Sequence, residues 1–286
     1  MVSISIVVPA YNEEKAIKST IGDIKKSVRG LKHKINILVV DDGSTDRTYK
    51  IISSIKGINV IRHDTNKGYG ASLKTAIKST DSEYIMIIDA DGTYPSSSIP
   101  ALIKNLNRYD MIVGARTGKV VKIPFFRKPA KWLLKQFAQY ITKTHIPDLN
   151  SGLRIFKRSI ALQFMNLFPD GFSFTTTLTI ACIVNGYSIK YMPINYYERV
   201  GISTIHPIKD FVNFMNIILR LAIFFKPLNV FIPASLVLFV LGVLKLIRDF
   251  LLLNYFGLGG ALLILTSIQI AFLGVLAELI IKRTSI

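Results

Sequence analysis

The chain contains very little cysteine. Cys182 is the one cysteine among 286 residues, so no disulfide can form within the chain. The apolar pattern of residues 178–184 is typical of a helix interior, which predicts a buried and unreactive thiol. A chain without internal disulfides suits a reducing compartment, so we expect its N-terminal part to face the cytoplasm.

Acidic residues are also scarce. The chain has 18 aspartates and glutamates against 36 lysines and arginines, which gives a formal net charge of +18 at pH 7. This balance predicts an anionic partner, either nucleic acid or a bilayer with anionic headgroups. We expect the bilayer and no nucleic acid, because the chain has membrane-length apolar runs and no recognised nucleic-acid-binding module.

A signal peptide is not expected, because residues 1–10 lack a basic start and run directly into a strand-like segment. The long apolar runs lie at the other end of the chain. Uncharged stretches cover residues 228–244 and 254–277, which are 17 and 24 residues long. A spanning helix needs about 20 apolar residues, so two membrane spans are predicted, the alternative being a soluble hairpin of core helices.

The orientation of the two spans is predicted from their flanking charges. Two spans return both chain ends to one side of the membrane, and Lys282 and Arg283 place that side in the cytoplasm. Lys245 and Arg248 lie near the outer end of the first span and argue for the opposite orientation. The positive charge of the remaining chain outweighs them, so we expect a multi-pass membrane protein with its large domain and both termini in the cytoplasm.

Two further segments have amphipathic patterns. Residues 119–140 are basic with interleaved aromatic residues, which fits either a membrane-facing segment beside the expected site or a solvated helix. Residues 210–226 are expected to lie at the membrane interface. We therefore divide the chain into a domain at residues 1–205, a juxtamembrane segment at 206–227 and a transmembrane region at 228–286.

Short runs rich in isoleucine and valine alternate with helical patterns in the first domain. The runs lie at residues 4–8, 35–40, 59–62, 84–88 and 111–113, and the helical patterns at 13–28, 47–55, 71–78 and 98–106. This alternation predicts an α/β fold with a mostly parallel sheet and helices on both faces. Ligands of such sheets bind at the carboxyl ends of the strands.

The first two runs are followed by polar loops. Pro9 ends the first run, and Tyr11 and Glu13 then place a ring and a carboxylate at the edge of the expected pocket, where a nucleobase could pack on Tyr11. Asp41 and Asp42 end the second run, and a carboxylate there could accept from the NH groups of a base. Both loops also have the composition of helix starts, which stays an alternative.

Asp89 and Asp91 follow the fourth run. Residues two apart in an extended segment point to the same side, so the two carboxylates can converge on one Mg²⁺ or Mn²⁺ ion. Such an ion keeps water ligands and also binds substrate phosphates. The glycine-rich loop at residues 66–72 is weaker evidence, because it has only part of a dinucleotide-binding pattern and follows the third run.

The ordered set of motifs resembles the family 2 glycosyltransferases of GT-A fold. The motifs occur in the family's order and are Pro9-Ala10-Tyr11-Asn12-Glu13, Asp41-Asp42-Gly43-Ser44, the Gly68/Gly70 loop, Asp89-Ala90-Asp91 and Gly114-Ala115-Arg116. Later motifs at residues 148–154 and 198–203 resemble the dolichol-phosphate mannose synthase branch, whose relatives transfer sugars to polyprenyl phosphates. The resemblance covers residues 4–203.

The resemblance implies a nucleotide-sugar donor, a polyprenyl or dolichyl phosphate acceptor, and Mg²⁺ or Mn²⁺. It implies that the donor is held by Pro9, Tyr11, Glu13, Val40, Asp42, Asp89 and Ala90. It assigns the metal to Asp89, Asp91 and Thr93, and catalytic roles to Asp91, Arg116 and Arg199. It assigns the acceptor phosphate to Arg127, Lys131 and Ser203.

The chain departs from the mannose synthase pattern at Thr93, Thr204 and Ala76, where that branch usually has glutamine, lysine and glycine. These departures weaken the case for GDP-mannose and leave the donor open as a UDP- or GDP-sugar. A phosphate monoester is largely dianionic at pH 7, so the acceptor needs positioning and nearby cations rather than a general base. The family implies inversion at the anomeric carbon.

Two other functions stay open. A processive polysaccharide synthase shares the early motifs, but its usual Gln-x-x-Arg-Trp motif is not found around Trp132, the one tryptophan. The non-enzymatic alternative is a catalytically inactive membrane protein that binds sugar nucleotides. A homo-oligomer is compatible with the sequence.

Overall fold

The computed structural model describes residues 1–121, 128–171, 173–199, 207–255 and 257–284. The chain divides into two compact units, Met1–Phe214 and Met215–Ile286. The boundary between them falls inside the predicted juxtamembrane segment.

The N-terminal unit is built on a mixed, mostly parallel sheet. Its seven strands within the described residues are β1 (Ser3–Ala10), β2 (Lys34–Asp41), β3 (Asn59–Arg62), β4 (Tyr84–Ile87), β5 (Met111–Ala115), β6 (Arg154–Lys157) and β7 (Ile189–Pro193). Their order is β3-β2-β1-β4-β6-β5-β7. β6 runs antiparallel to β4 and β5, and the other neighbours pair in parallel. The predicted fold class is confirmed.

Helices cover both faces of this sheet. They are α1 (Ile17–Val28), α2 (Thr48–Ser53), α3 (Tyr69–Lys78), α4 (Ile99–Ile103), α5 (Lys128–Thr142), α6 (Arg158–Gln163) and α7 (Phe174–Val184). Ile4, Ile6 and Val8 of β1 share one buried core with residues of α1, α2 and α4. Ser5 points to the opposite face and hydrogen-bonds Thr80, just after α3, at 2.7 Å between the hydroxyl oxygens.

The carboxyl ends of β1, β2 and β4 lie side by side. β1 pairs with β2 on one side and with β4 on the other, and the chain reaches β4 only after it has built β2 and β3 outward. The strand order therefore reverses beside β1. A crevice forms at such a reversal in parallel sheets, which places the loops after these strands at one site.

Several element boundaries differ from the predictions. The helix expected from residue 13 begins at Ile17, because Asn12 has a positive φ of 56° and residues 13–16 form turns before the helix. The helix expected at 98–106 is the short α4, preceded by a 3₁₀ turn at Ser96–Ser98. β6 and β7 were not predicted, since Arg154 and Lys157 interrupt the apolar pattern of the first and Lys190 that of the second.

The C-terminal unit contains two long apolar helices. α8 (Pro207–Phe225) crosses the boundary between the units, and α9 (Leu228–Leu253) and α10 (Leu258–Thr284) follow. The candidate spans are Leu228–Leu252 and Leu258–Ile281, with mean hydropathies of 2.5 and 2.2 and only 11% of each apolar window buried. Core helices of a soluble protein are mostly buried, so this exposure favours membrane spans over the soluble alternative.

Small residues bring α9 and α10 into close contact. A Cβ on Gly242 would lie 3.0 Å from the carbonyl oxygen of Gly260, and a Cβ on Gly260 would lie 2.6 Å from Cγ of Leu246. Ser267 and Gly274 follow Gly260 at seven-residue intervals, and a Cβ on Gly274 would lie 2.6 Å from Cβ of Phe231. Close backbone approach at small residues is how helices pack tightly in membranes.

The charges of α9 form a cluster near its C-terminus. Lys245 and Arg248 form ion pairs with Asp249, at 3.2 and 3.0 Å between nitrogen and oxygen, and Asp249 is buried. α9 continues through this cluster and ends where Asn254 adopts the left-handed conformation with φ of 56°. The first span is therefore longer than the uncharged stretch at 228–244 suggested.

Candidate active site

The loops after β1 and β2 are joined by hydrogen bonds. The Asn12 N–H donates to Oγ of Ser44 at 3.0 Å, and Oδ1 of Asn12 accepts from the Thr45 N–H at 2.9 Å. The Glu13 N–H donates to Oγ1 of Thr48 at 2.8 Å. Asn12 therefore ties the two loops together instead of capping α1. Its left-handed conformation, which asparagine tolerates, aims its amide at the neighbouring loop.

Asp42 organises the loop that follows β3. Its Oδ1 contacts Nδ1 of His63 at 2.7 Å and accepts from the Lys67 N–H at 3.0 Å, and its Oδ2 accepts from the Gly68 N–H at 2.8 Å. Nε2 of His63 hydrogen-bonds Oγ1 of Thr75 at 3.0 Å. Both oxygens of Asp42 thus have partners inside the protein, and its contact with a base stays a prediction.

The Gly68/Gly70 loop packs against backbone. Gly68 has φ of +103°, and a Cβ there would lie 2.5 Å from the carbonyl oxygen of Asp170. A Cβ on Gly70 would collide with the carbonyl oxygen of Pro169. These glycines therefore let the segment before α7 approach closely, and Tyr69 between them is the first residue of α3.

Asp89 is held between Tyr69 and Gly152. The Tyr69 hydroxyl donates to Oδ1 of Asp89 at 3.0 Å, and a Cβ on Gly152 would collide with Oδ2. The Gly152 N–H donates to the Tyr94 hydroxyl oxygen at 2.6 Å. Burial and the neighbouring charge of Asp91 raise the pKa of Asp89 to about 7. The negative charges of Asp89 and Asp91 repel each other, and a divalent cation held by both carboxylates would relieve that repulsion.

Asp91 is held by Thr93 and lies beside Arg199. Its Oδ1 accepts from the Thr93 N–H at 3.1 Å and from the Thr93 hydroxyl at 2.7 Å. Its Oδ2 lies 3.6 Å from Nε of Arg199. The hydroxyl of Thr93 thus points at a carboxylate, and its assignment as a metal ligand stays a prediction.

Arg199 joins the β4 loop to the β1 loop. Its Nη2 forms an ion pair with Oε1 of Glu13. Burial raises the pKa of Glu13 to about 7, with Asp91 and Asp89 adding to the effect and Arg199 opposing it. The structure therefore brings together five of the predicted site residues, namely Glu13, Asp89, Asp91, Thr93 and Arg199, around one carboxylate-rich centre.

Arg116 forms a buried ion pair that the sequence did not reveal. Its Nε and Nη2 donate to the two oxygens of Asp148, each at 2.7 Å, and Nη2 also donates to Oδ1 of Asn150 at 2.7 Å. Burial would raise the pKa of Asp148, but the charge and hydrogen bonds of Arg116 hold it at about 2. Arg116 thus uses three guanidinium N–H groups within the protein, and its contact with a phosphate stays a prediction.

Arg154 fixes the segment between Asp148 and β6. Its guanidinium is fully buried and donates to the Ser151 carbonyl oxygen at 2.6 and 2.9 Å and to the Thr175 carbonyl oxygen at 2.9 Å. Arg154 therefore connects the Gly152 turn to α7. Tyr69, Tyr94, Asp148 and Gly152 had no predicted role, although three of them lie within the quoted motifs.

The remaining predicted site residues lie around this centre or outside the described part. Pro9 and Val40 are register partners at the ends of β1 and β2, and Tyr11 is half-buried just beyond. The carbonyl oxygen of Ala90 accepts from the Thr20 hydroxyl at 3.0 Å. Arg127 and Ser203 lie outside the described residues, as does the side chain of Lys131.

The described residues contain no cluster of three or more histidine, cysteine, aspartate or glutamate side chains that could hold a metal. Asp89 and Asp91 are a pair of carboxylates, which fits the way Mg²⁺ binds through one or two carboxylates together with water and substrate phosphates. The donor set therefore suits an ion that arrives with a phosphorylated substrate.

The sequence of the N-terminal unit matches a known family. The model of the family described as "Glycosyl transferase family 2" matches residues 5–164, more than half of the chain. The chain belongs to glycosyltransferase family 2. Residues 226–282 of this family 2 member match a second model, described as "GtrB C-terminal hairpin".

Several relatives are similar to this family 2 chain. An uncharacterised protein of Methanocaldococcus jannaschii is 32% identical over 67% of this chain and 80% of its own length. A dolichyl-phosphate hexose transferase of Haloferax volcanii is 28% identical over 71% of this chain and 87% of its own. A dodecaprenyl-phosphate galacturonate synthase of Rhizobium johnstonii is 27% identical over 98% of this chain and 88% of its own length.

The fold is similar to that of solved structures. Glucosyl-3-phosphoglycerate synthase of Mycobacterium tuberculosis, in complex with Mn²⁺, uridine diphosphate and phosphoglyceric acid, superposes with a TM-score of 0.60. The two chains are 19% identical, and the match covers 77% of this chain and 78% of the other. At this identity the likeness establishes a shared fold.

Proposed function

We propose that this glycosyltransferase moves one sugar from a nucleotide-diphosphate sugar to the phosphate of a membrane polyprenol, with inversion at the anomeric carbon. The observation that carries the proposal is the convergence of Asp89, Asp91, Glu13 and Arg199 at the carboxyl edge of the sheet, in a chain that ends in two apolar helices. The named relatives from Haloferax and Rhizobium act on dolichyl and dodecaprenyl phosphates, which supports this acceptor class.

Asp89 and Asp91 would hold Mg²⁺ or Mn²⁺ together with the donor diphosphate. The ion supplies positive charge that stabilises the diphosphate as a leaving group. The glucosyl-3-phosphoglycerate synthase of similar fold was solved with Mn²⁺ and uridine diphosphate, which supports a metal and a UDP-sugar. Tyr11 and Pro9, at the end of β1, would contact the nucleoside.

Arg199 would pass from the carboxylates to phosphate when substrates bind. In this structure its guanidinium pairs with Glu13 and lies beside Asp91. A donor diphosphate would offer it a stronger partner, and Arg199 would then offset the repulsion between the donor and a dianionic acceptor phosphate. Because that acceptor is already largely ionised at pH 7, no side chain has to remove a proton from it.

The experiment that tests this function is a panel of UDP- and GDP-sugars incubated with the full-length protein in detergent and a polyprenyl phosphate, with and without Mn²⁺. We expect one donor to give a lipid product that carries a single sugar, only with the metal. A growing polymer would instead support a processive synthase. Binding of a donor without any nucleotide release would support an inactive binding protein.

We also propose that the N-terminal unit and both chain ends lie in the cytoplasm, with the turn between α9 and α10 outside. Lys282 and Arg283, just beyond the second span, support this orientation, and Lys245 and Arg248 near the end of α9 both pair with the buried Asp249. The membrane would then present the acceptor phosphate on the cytoplasmic side.

Cysteine labelling tests the orientation. Cys182 is fully buried, and burial raises the pKa of its thiol to about 12, so it gives little background with a maleimide. Tyr255→Cys lies in the turn, where Tyr255 is 55% exposed, and Ser53→Cys lies at the exposed end of α2. We expect a membrane-impermeant maleimide to label Y255C in intact cells and S53C only in broken cells. The reverse pattern would contradict the proposed orientation.

A further inference from the structure

We infer that Tyr69 is a positioning residue for the metal site, which orients the Asp89 carboxylate without neutralising it. This inference rests on the proposed function, since it takes Asp89 and Asp91 as the residues that hold the ion. Tyr69 lies outside the carboxylate and arginine motifs, between Gly68 and Gly70 of the glycine-rich loop, and the sequence assigns it no role.

The first support is the symmetry of the contacts on the two carboxylates. Oδ1 of Asp89 accepts from the Tyr69 hydroxyl at 3.0 Å, and Oδ1 of Asp91 accepts from the Thr93 hydroxyl at 2.7 Å. One oxygen of each carboxylate is thus held by a neutral donor, and Oδ2 of Asp91 also lies 3.6 Å from Nε of Arg199. A cation in either place would cancel negative charge, whereas a hydroxyl fixes the carboxylate and leaves its charge for a divalent ion.

The second support is the wall on the other side of Asp89. A Cβ on Gly152 would collide with Oδ2 of Asp89, so the backbone of Gly152 lies directly against that oxygen. The Gly152 N–H is itself fixed by its hydrogen bond to the Tyr94 hydroxyl oxygen at 2.6 Å. Tyr69 and Gly152 therefore confine the carboxylate from two sides, and removal of the Tyr69 hydroxyl frees one of them.

The third support is the way in which Tyr69 is presented. Asp42 accepts from the N–H groups of Lys67 and Gly68, immediately before Tyr69, at 3.0 and 2.8 Å. The two residues after Tyr69 are also held. Gly70 packs against the Pro169 carbonyl oxygen, and the Ala71 N–H donates to the Asp170 carbonyl oxygen at 3.0 Å. A loop anchored on both sides of one tyrosine holds its hydroxyl in place, as a residue that orients a metal ligand requires.

This arrangement predicts a specific defect in Tyr69→Phe. The phenylalanine keeps the ring and loses only the hydroxyl, so the loop and the nucleotide contacts remain. Asp89 then samples orientations that do not bind the ion, and loss of such an orienting contact typically weakens metal binding about 10- to 100-fold. At saturating Mn²⁺ the turnover is expected to recover most of its wild-type value.

The experiment measures Mn²⁺ binding to full-length protein in detergent, from the EPR signal of the free ion, in the presence of UDP and in parallel of GDP. The matched control is Tyr187→Phe, whose hydroxyl donates to Gln163 at an exposed position. We expect Y69F to bind Mn²⁺ more weakly, Y187F to bind as the wild type, and all three proteins to bind the nucleotide alike without metal.

Three results would overturn the inference. Mn²⁺ binding by Y69F equal to that of the wild type would show that the hydroxyl does not orient Asp89. Loss of nucleotide binding by Y69F without metal would assign Tyr69 to general support of the loop. Absence of Mn²⁺ binding by the wild type with either nucleotide would remove the metal site itself, and with it the metal-dependent part of the proposed function.

Discussion

The ion pair between Arg116 and Asp148 places two buried charges beside the site. Four hydrogen bonds, three from the guanidinium and one from the backbone N–H, join Arg116 to Asp148 and Asn150, so the segment that leads to Gly152 is tied to the end of β5. A buried ion pair contributes little net stability compared with apolar residues, but removal of one partner leaves the other charge without compensation. The pair therefore acts mainly to hold the geometry of the Gly152 turn.

Asp148→Asn is expected to lower the thermal stability of the N-terminal unit. Removal of one partner of a buried pair costs about 3–5 kcal/mol, because the Arg116 charge stays buried. The check is the unfolding temperature in detergent, with Asp81→Asn as the control, since the Asp81 side chain is fully exposed. Equal unfolding temperatures for both variants would show that the pair is not held in solution.

The pair also predicts a dependence on pH. The pKa of Asp148 is about 2 in the folded protein, below the ordinary value, so the ionised carboxylate stabilises the fold. That contribution is complete above about pH 4 and is lost as the pH falls towards the folded pKa. D148N is expected to lack this part of the acid titration of stability.

Gly152→Ala is expected to impair the site without unfolding the protein. A Cβ at this position would collide with the Asp89 carboxylate, and that side chain must then move. A shift of about 1 Å in a reacting constellation can cost about 100-fold in rate. The measurement is kcat together with the unfolding temperature, and Gly171→Ala is the control because a Cβ there meets nothing within 4 Å. Full activity in G152A would contradict the described contact.

The sequence predicts site residues that are neighbours along the chain, but not contacts between residues that are far apart in it. Asp89 and Asp91 could be predicted, because a strand followed by Asp-x-Asp places both on one side of an extended segment. The partner of Arg116 could not be predicted. Asp148 lies 32 positions away along the chain, and only the pairing of β5 with β6 brings it near Arg116. The contact of Tyr69 with Asp89 could not be predicted for the same reason, since it depends on the segments after β3 and β4 meeting in the fold.

Elements differ in how far their sequences predict them. β1, β2 and β4 are rich in isoleucine and valine, with Ser5 and Asn36 as the polar residues inside the first two runs, and the predicted bounds agree with the structure within two residues at either end. β6 carries Arg154 fully buried, and its positive charge makes a core strand resemble a surface segment. The structure accommodates it because the carbonyl oxygens of Ser151 and Thr175 accept from its guanidinium. The local sequence does not show that these carbonyl oxygens will satisfy the buried guanidinium.

Gly260→Leu is expected to disrupt the contact between α9 and α10. A Cβ on Gly260 already lies 2.6 Å from Cγ of Leu246, so a leucine forces the helices apart. Protease resistance of the C-terminal helices in detergent checks this. Ala261→Leu is the matched control, because Ala261 is exposed on the next position of the same helix. Equal resistance of both variants would show that the close approach is not essential.

The whole chain combines a sugar-nucleotide fold with a hydrophobic hairpin. The family 2 model covers residues 5–164 and the hairpin model residues 226–282, and the Rhizobium relative aligns over 98% of the chain, so it spans both parts. The basic balance of the chain, with a formal net charge of +18, suits a protein whose acceptor is an anionic lipid. Composition alone predicts a membrane and an anionic partner, but it does not indicate that the anionic group is the phosphate of a polyprenyl lipid.

The measurement that tests the central claim most directly is Mn²⁺-dependent transfer of a labelled sugar to a polyprenyl phosphate, compared between the wild type, Asp91→Asn and Asp81→Asn. We expect the wild type and D81N to form the glycolipid at equal rates with Mn²⁺ and at background without it. D91N is expected to lose about 100-fold or more, because the ion and diphosphate are no longer held. Wild-type transfer by D91N, or equal transfer with and without metal, would contradict the assigned site.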